Sequence, residues 1–162
     1  MWILGIISVV FLTTGFGFNL HCGTDEYLTD QHMCCPLCEP GSYVLWQCDK
    51  SSLTACAPCP PSTYTDEPNG LLQCTACTVC DLKVGLKVKK TCSPTSDTLC
   101  EPIEGHWCTD PIKDGCRGAV EHTKCLSGQY IRQRGTASSD TACEACKHGR
   151  LSNGSLTSCR SQ

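Results

Sequence analysis

The stretch CPPSTYTDEPNGLLQCTACTVCDLKVGLKVKKTCSPTSDTLC, residues 59–100, holds six cysteines in one unit: Cys59, Cys74, Cys77, Cys80, Cys92 and Cys100. Their spacing returns upstream, where Cys35, Cys38, Cys48 and Cys56 precede Cys77, Cys80, Cys92 and Cys100 by 42, 42, 44 and 44 residues. Self-similarity at a period of about 40 residues marks a row of small modules. A longer gap leads into each foursome, from Cys22 to Cys34 and from Cys59 to Cys74. Downstream the rhythm loosens into Cys108, Cys116, Cys125 and Cys143, then Cys146 and Cys159.

Eighteen cysteines in 162 residues is a density at which a short exported chain reads as a disulfide scaffold. The compartment decides whether that reading holds. Residues 1–20 carry no charged side chain, and the apolar run Trp2 to Leu12 leads into small residues at Gly15 and Gly17. This fits a secretory leader over residues 1–17, although the usual basic start is missing. An uncleaved anchor would need about 20 apolar residues, and Thr13, Thr14, Gly15 and Gly17 weaken the second half. Export brings an oxidising environment and disulfides, and the even cysteine count agrees. Modules of about 40 residues with few aliphatic clusters cannot stabilise themselves by burial alone, so cross-links replace the core. A net charge of −3 argues against a nucleic-acid partner. No second apolar segment follows residue 20, so no membrane span is expected in this chain. The expectation is a secreted protein, or the extracellular part of a membrane receptor if the sequence is a fragment.

Three of the four tyrosines, Tyr43, Tyr64 and Tyr130, stand five residues after a cysteine, at Cys38, Cys59 and Cys125. That recurrence fits an aromatic stacked on each disulfide-bonded turn. Leu82 to Lys90 alternates as a short strand would, with Val84, Leu86 and Val88 on one side and Lys83, Lys87 and Lys89 on the other. The basic side either meets an acidic partner or, the blander reading, keeps a strand edge from pairing. Asp114-Gly115 makes a turn that closes the small loop from Cys108 to Cys116. Asn153-Gly-Ser155 is the only acceptor for N-glycosylation and belongs on an exposed turn. Trp107 is either a partner's anchor or, the preferred reading, packing over that small loop.

Two other classes compete. Cys-x-x-Cys occurs at 35/38, 56/59, 74/77, 77/80 and 143/146, which in a cytosolic protein would point to zinc. Export and the lack of a paired His-x-x-x-His set argue against a metal or any other cofactor. His21, His32, His106, His122 and His148 are scattered and no Gly-x-Ser-x-Gly is present, so no nucleophile and base can be named and no enzyme is expected.

Cys-Glu-Pro-Gly-Ser-Tyr43, Cys-Pro-Pro-Ser-Thr-Tyr64, Ser-Asp-Thr-Leu-Cys100 and Ser-Asp-Thr-Ala-Cys143 resemble the tumour necrosis factor receptor superfamily, over Cys22 to Cys159. Within it, Asp-Glu-Tyr27, the Cys34-Cys35 doublet, Asn-Gly-Leu71 and Gly-His-Trp-Cys108 resemble the branch that serves as a herpesvirus receptor. The resemblance implies an elongated tandem array of small disulfide-rich repeats, with short β-strands and little other regular structure. Its repeats would span 22–56, 59–100 and 101–143, with a partial fourth at 146–159. Repeat and resemblance together imply the bonds Cys22–Cys34, Cys35–Cys48, Cys38–Cys56, Cys59–Cys74, Cys77–Cys92 and Cys80–Cys100, continued by Cys108–Cys116, Cys125–Cys143 and Cys146–Cys159. They also imply a trimeric cytokine of the tumour necrosis factor family, such as LIGHT or lymphotoxin alpha, bound along the second and third repeats; the candidate contacts there, read from the strand and from Trp107 above, are Leu86, Lys87, Lys89 and Trp107. A further site on the first repeat, with Tyr27, would serve an immunoglobulin-type partner such as the B- and T-lymphocyte attenuator, or a viral glycoprotein. Two departures bear on this. A bond usual in the third repeat has Pro102 and Ala119 at its two positions, and a basic residue usual in the attenuator-binding strand is replaced within Ser42 to Trp46 by Leu45 and Trp46.

Overall fold

The computed structural model describes residues 21–147 and 150–161; the leader expected over 1–17 lies outside them. Fourteen short strands follow in order: β1 Glu26–Leu28, β2 Cys34–Pro36, β3 Ser42–Trp46, β4 Ala55–Pro58, β5 Thr63–Tyr64, β6 Thr75–Ala76, β7 Leu86–Lys90, β8 Leu99–Pro102, β9 His106–Ile112, β10 Gly115–Glu121, β11 Gln129–Gln133, β12 Ala142–Ala145, β13 Arg150–Leu151 and β14 Arg160–Ser161. Each strand pairs with its neighbour in the chain, giving seven antiparallel two-stranded sheets among the described residues. The fold is a tandem array of small disulfide-rich repeats. An isolated two-stranded sheet is marginal in water, so something other than sheet formation must hold each pair.

That something is sulfur. Nine disulfides join Cys22–Cys34, Cys35–Cys48, Cys38–Cys56, Cys59–Cys74, Cys77–Cys92, Cys80–Cys100, Cys108–Cys116, Cys125–Cys143 and Cys146–Cys159, leaving no free thiol. Closed loops of this size contribute about 2–4 kcal/mol each, chiefly by restricting the unfolded chain. Among the described residues the buried apolar side chains are Cys35, Cys38, Val44, Leu86, Cys100 and Cys116, so their interior is mostly half-cystine.

Three sheets carry the same irregularity. The pairing slips between Val44 and Trp46 in β3, between Val88 and Lys90 in β7, and between Ile131 and Gln133 in β11. A bulge of this kind re-aims a side chain away from the sheet. The residues it sets apart are Leu45, Lys89 and Arg132, all exposed.

The strand expected over Leu82 to Lys90 is shorter than its alternation implied. Leu82–Val84 is a 3-10 turn: the Asp81 carboxylate accepts from the Lys83 amide, and Gly85 stops the turn in the left-handed region at φ 75°. Only Leu86 to Lys90 is extended, and Val84 lies half exposed instead of sharing a face with Leu86. The hairpin expected at Asp114-Gly115 turns one residue earlier, because Gly115 already pairs with Ile112 while Asp114 takes φ 62°. Aspartate tolerates that conformation better than most residues.

Candidate binding surface

Around Cys100 the chain passes from β8 into the long β9–β10 hairpin, and two shallow grooves open on either side of that crossing. Leu86, Cys100 and Cys116 form the buried cluster beneath the first of them, with Cys80, Cys108 and Ala119 packed around it. One groove, of about 300 Å³, is walled by Val79, Leu99, Ile112 and Arg117 over the buried Leu86. Val79 stands at its rim with 85% of its surface exposed. The other, of about 380 Å³, runs between Lys87, Glu101, His106 and His122, floored by Gly135 and Thr136. Both take residues from before and after Cys100, so the cross-linked crossing fixes their shape.

The charged side chains over this region are held by specific partners. Lys87 Nζ lies 3.3 Å from Glu101 Oε1, directly across the β7–β8 ladder, and both remain substantially exposed. Lys89, at the bulge, donates from Nζ to the Asp114 carbonyl at 2.8 Å and so ties β7 to the tip of the β9–β10 hairpin. Asp97 accepts from the Thr78 amide at 2.7 Å, the Thr78 hydroxyl at 2.6 Å and the Thr98 amide at 2.6 Å. Burial works against ionisation of Asp97, but these donors hold its carboxyl below the usual range. Asp140 repeats the device with Thr123 and Thr141, and the Thr123 hydroxyl, its amide, the Thr141 amide and His122 bring the carboxyl down to about 2.

The implied site residues fare differently. Leu86 is 4% exposed beneath the first groove, which corrects its assignment as a contact residue: it shapes the wall from behind. Lys87 and Lys89 are at the surface. Trp107 is half-buried on β9 opposite Val120, with its indole N–H enclosed and unpartnered. Tyr27 lies apart from all of these, half-buried on β1, its ring pressed against Gly70 so closely that any Cβ there would collide. Burial raises its phenol's pKa. Asn153 is exposed, and its side-chain oxygen accepts from the Ser155 amide at 3.1 Å and hydroxyl at 2.7 Å. The exposed Val79 and the two histidines were missed by sequence reasoning, since nothing in a Cys-x-x-Cys interior or an isolated histidine announces a groove.

Among the described residues two clusters bring three ligand-type atoms together, Cys22 with Glu26 and Cys34, and Cys77 with Cys92 and Asp97. In each the two sulfurs are bonded to one another, so neither offers a thiolate.

The family description "TNFR/NGFR cysteine-rich region" matches residues 59–100. Tumor necrosis factor receptor superfamily member 14 of Mus musculus is 41% identical over 82% of this chain and 48% of that protein. The solved structure of equine lentivirus receptor 1 superposes with a TM-score of 0.59 at 37% identity, over 62% of this chain and 98% of that one. The chain belongs to the tumour necrosis factor receptor superfamily. It spans about half the length of the curated superfamily relatives it matches. A chain of the mouse RANKL–OPG complex shares the fold at a TM-score of 0.54 and 28% identity, over 83% of this chain and 96% of that one. The superfamily homologues are receptors, not enzymes. Among the described residues no helix is long and apolar enough to cross a membrane.

Proposed function

We propose that this chain is a ligand-binding ectodomain of the herpesvirus-receptor branch, gripping a trimeric tumour necrosis factor-family cytokine such as LIGHT or lymphotoxin alpha. The observation that carries the reading is the pair of grooves meeting at Cys100, lined by Val79, Ile112 and Arg117 on one side and by Lys87 and Glu101 on the other. A flank held by cross-links is already ordered before it binds, so little conformational entropy is lost on docking. The likeness to a chain from a RANKL–OPG complex and to member 14 supports the same class of partner. In released form the chain competes for ligand as a decoy, because avidity requires tethered copies. A second contact, on the first repeat with Tyr27, is assigned to an immunoglobulin-type partner such as the B- and T-lymphocyte attenuator or to a viral glycoprotein. Its chemistry there is apolar, through Leu45 and Trp46, which are 48% and 71% exposed. Asn153 is assigned as glycosylated.

The test is surface binding of the purified protein to immobilised LIGHT, lymphotoxin alpha and the attenuator. Binding to at least one cytokine, weakened at least tenfold and with a flatter salt dependence in Lys87→Glu/Lys89→Glu, is the expected result. Absence of binding to both cytokines, or unchanged affinity in that variant, overturns the assignment of this flank.

A further inference from the structure

Charge is distributed unevenly along the array. From Cys22 to Cys80 there are seven carboxylates and one lysine, whereas from His122 to Ser161 there are six basic residues and two carboxylates. Of those two, Asp140 is spent on the Thr123 and Thr141 donors described above. The other, Glu144, sits opposite Tyr130 in the β11–β12 ladder, with its Oε2 3.6 Å from Arg132 Nε. Tyr130, Glu144, Lys147 and Arg150 line a groove of about 270 Å³. Arg132 comes from the β11 bulge with 71% of its side chain exposed, and Arg134 follows two residues on, also exposed. A single carboxylate thus faces four basic side chains.

We propose that this groove and the row of Arg132 and Arg134 beside it bind a sulfated polysaccharide of the extracellular matrix. Arg132 on β11 and Arg134 just past the strand's end are close in the chain and both exposed, a short run of cations suited to a linear polymer that carries anionic groups repeatedly. Guanidinium groups present a planar fork of donors that matches tetrahedral oxyanions better than a lysine point charge does, and three of the four cations are arginines. The patch lies at the opposite end of the array from the acidic first modules, so a polyanion is attracted to one end and repelled by the other. A sulfated chain is favoured over an anionic bilayer because the cations border a groove and a strand edge, a geometry that fits a thread more closely than a plane. Glu144 holds Arg132 in place when no ligand is bound and gives it up when a sulfate arrives. The inference is independent of the cytokine assignment, whose grooves share no lining residue with this one.

The test is retention on immobilised heparin at graded salt. Wild-type protein is expected to be held at physiological ionic strength, released at higher salt, and not held by chemically desulfated heparin. Arg132→Gln/Arg150→Gln is expected to lose at least tenfold in affinity, while Glu144→Gln gains severalfold because the competing carboxylate is gone. That opposite sign is not produced by damage to the fold, and alkylation showing no free thiol confirms the disulfides in each variant. Equal retention on desulfated heparin, no retention at physiological salt, or weaker binding by Glu144→Gln overturns the proposal. Capture by phosphatidylserine vesicles without retention on heparin also overturns it and reassigns the patch to a membrane surface.

Discussion

Three residues after Cys56, the amide of Cys59 donates to the carbonyl of Gly41 at 2.9 Å; three residues after Cys100, the amide of Ile103 donates to Gly85 in the same way, also at 2.9 Å. At the first crossing the Gly41 amide is held by the carbonyl of Thr65 at 2.9 Å and by its hydroxyl at 2.8 Å. That hydroxyl, buried, passes a bond on to the Ser42 carbonyl at 3.1 Å. At the second crossing no hydroxyl is present: the Gly85 amide turns back to Leu82, and the ring of His106 lies over the glycine. The first arrangement returns near the end of the chain, where Cys146 donates to Gly128 and Gly128 to Ser152, both at 2.8 Å. The backbone bond is thus kept where the cysteine is lost. What changes is the filling, a buried threonine hydroxyl at the first crossing and an imidazole with a long hairpin at the second.

That contrast can be broken at several strengths. The largest effect is expected from the crossed bond that ends the second crossing: replacing Cys80 and Cys100 together by alanine should cost about 2–5 kcal/mol in chemical denaturation. Replacing Cys108 and Cys116, whose loop spans 8 residues against 20, should cost about 0.8 kcal/mol less on loop-closure grounds. Equal losses would mean that the hairpin strands, not loop length, govern that region. Leu86→Ala, beneath the groove walled by Val79 and Ile112, is expected to cost about 2–5 kcal/mol and to weaken cytokine binding without touching the ligand.

Smaller effects distinguish the fillings themselves. Gly85→Ala and Gly128→Ala both force a side chain into the left-handed region, at about 1–3 kcal/mol each. Gly85→Ala should cost more, since its methyl meets the His106 ring while that of Gly128 meets nothing. A matching His106→Ala should bring the two melting temperatures together, and a persistent gap would remove the ring from the account. Thr65→Val should cost about 1–2 kcal/mol, because the Gly41 amide loses one acceptor and the Ser42 carbonyl a donor.

The mildest probe is acid. Asp140 has its carboxyl lowered from an ordinary value of 3.8 to about 2, so its clamp on Thr123 is complete above pH 4 and is lost as pH falls toward 2. Carboxyl NMR should show Asp140 titrating near the bottom of that window, and Thr123→Val should move it back toward the ordinary value.

Much of the architecture was legible because cysteine spacing is a covalent constraint written directly in the chain. The repeat at Cys35 to Cys56 and Cys77 to Cys100 gave the modular fold with no appeal to side-chain packing. The binding surface was less legible for three physical reasons. Alternation from Leu82 to Lys90 concealed a turn, because Asp81 and Gly85 act through capping and φ, neither of which has a hydrophobic period. Leu86 was placed with the ligand contacts because its burial comes from Cys116 and Ala119, more than 29 residues further along the chain. Val79 stands out only because its two flanking cysteines, Cys77 and Cys80, are pulled inward by Cys92 and Cys100.

An interior made of half-cystines also sets how the molecule answers its surroundings. Heat capacity of unfolding follows the apolar area exposed, and here that area is slight, so the stability curve should be shallow and broad in temperature. The opposite holds for electrons. A strong external reductant removes the restraint on the denatured chain link by link, so stability should depend more steeply on reducing power than on warmth.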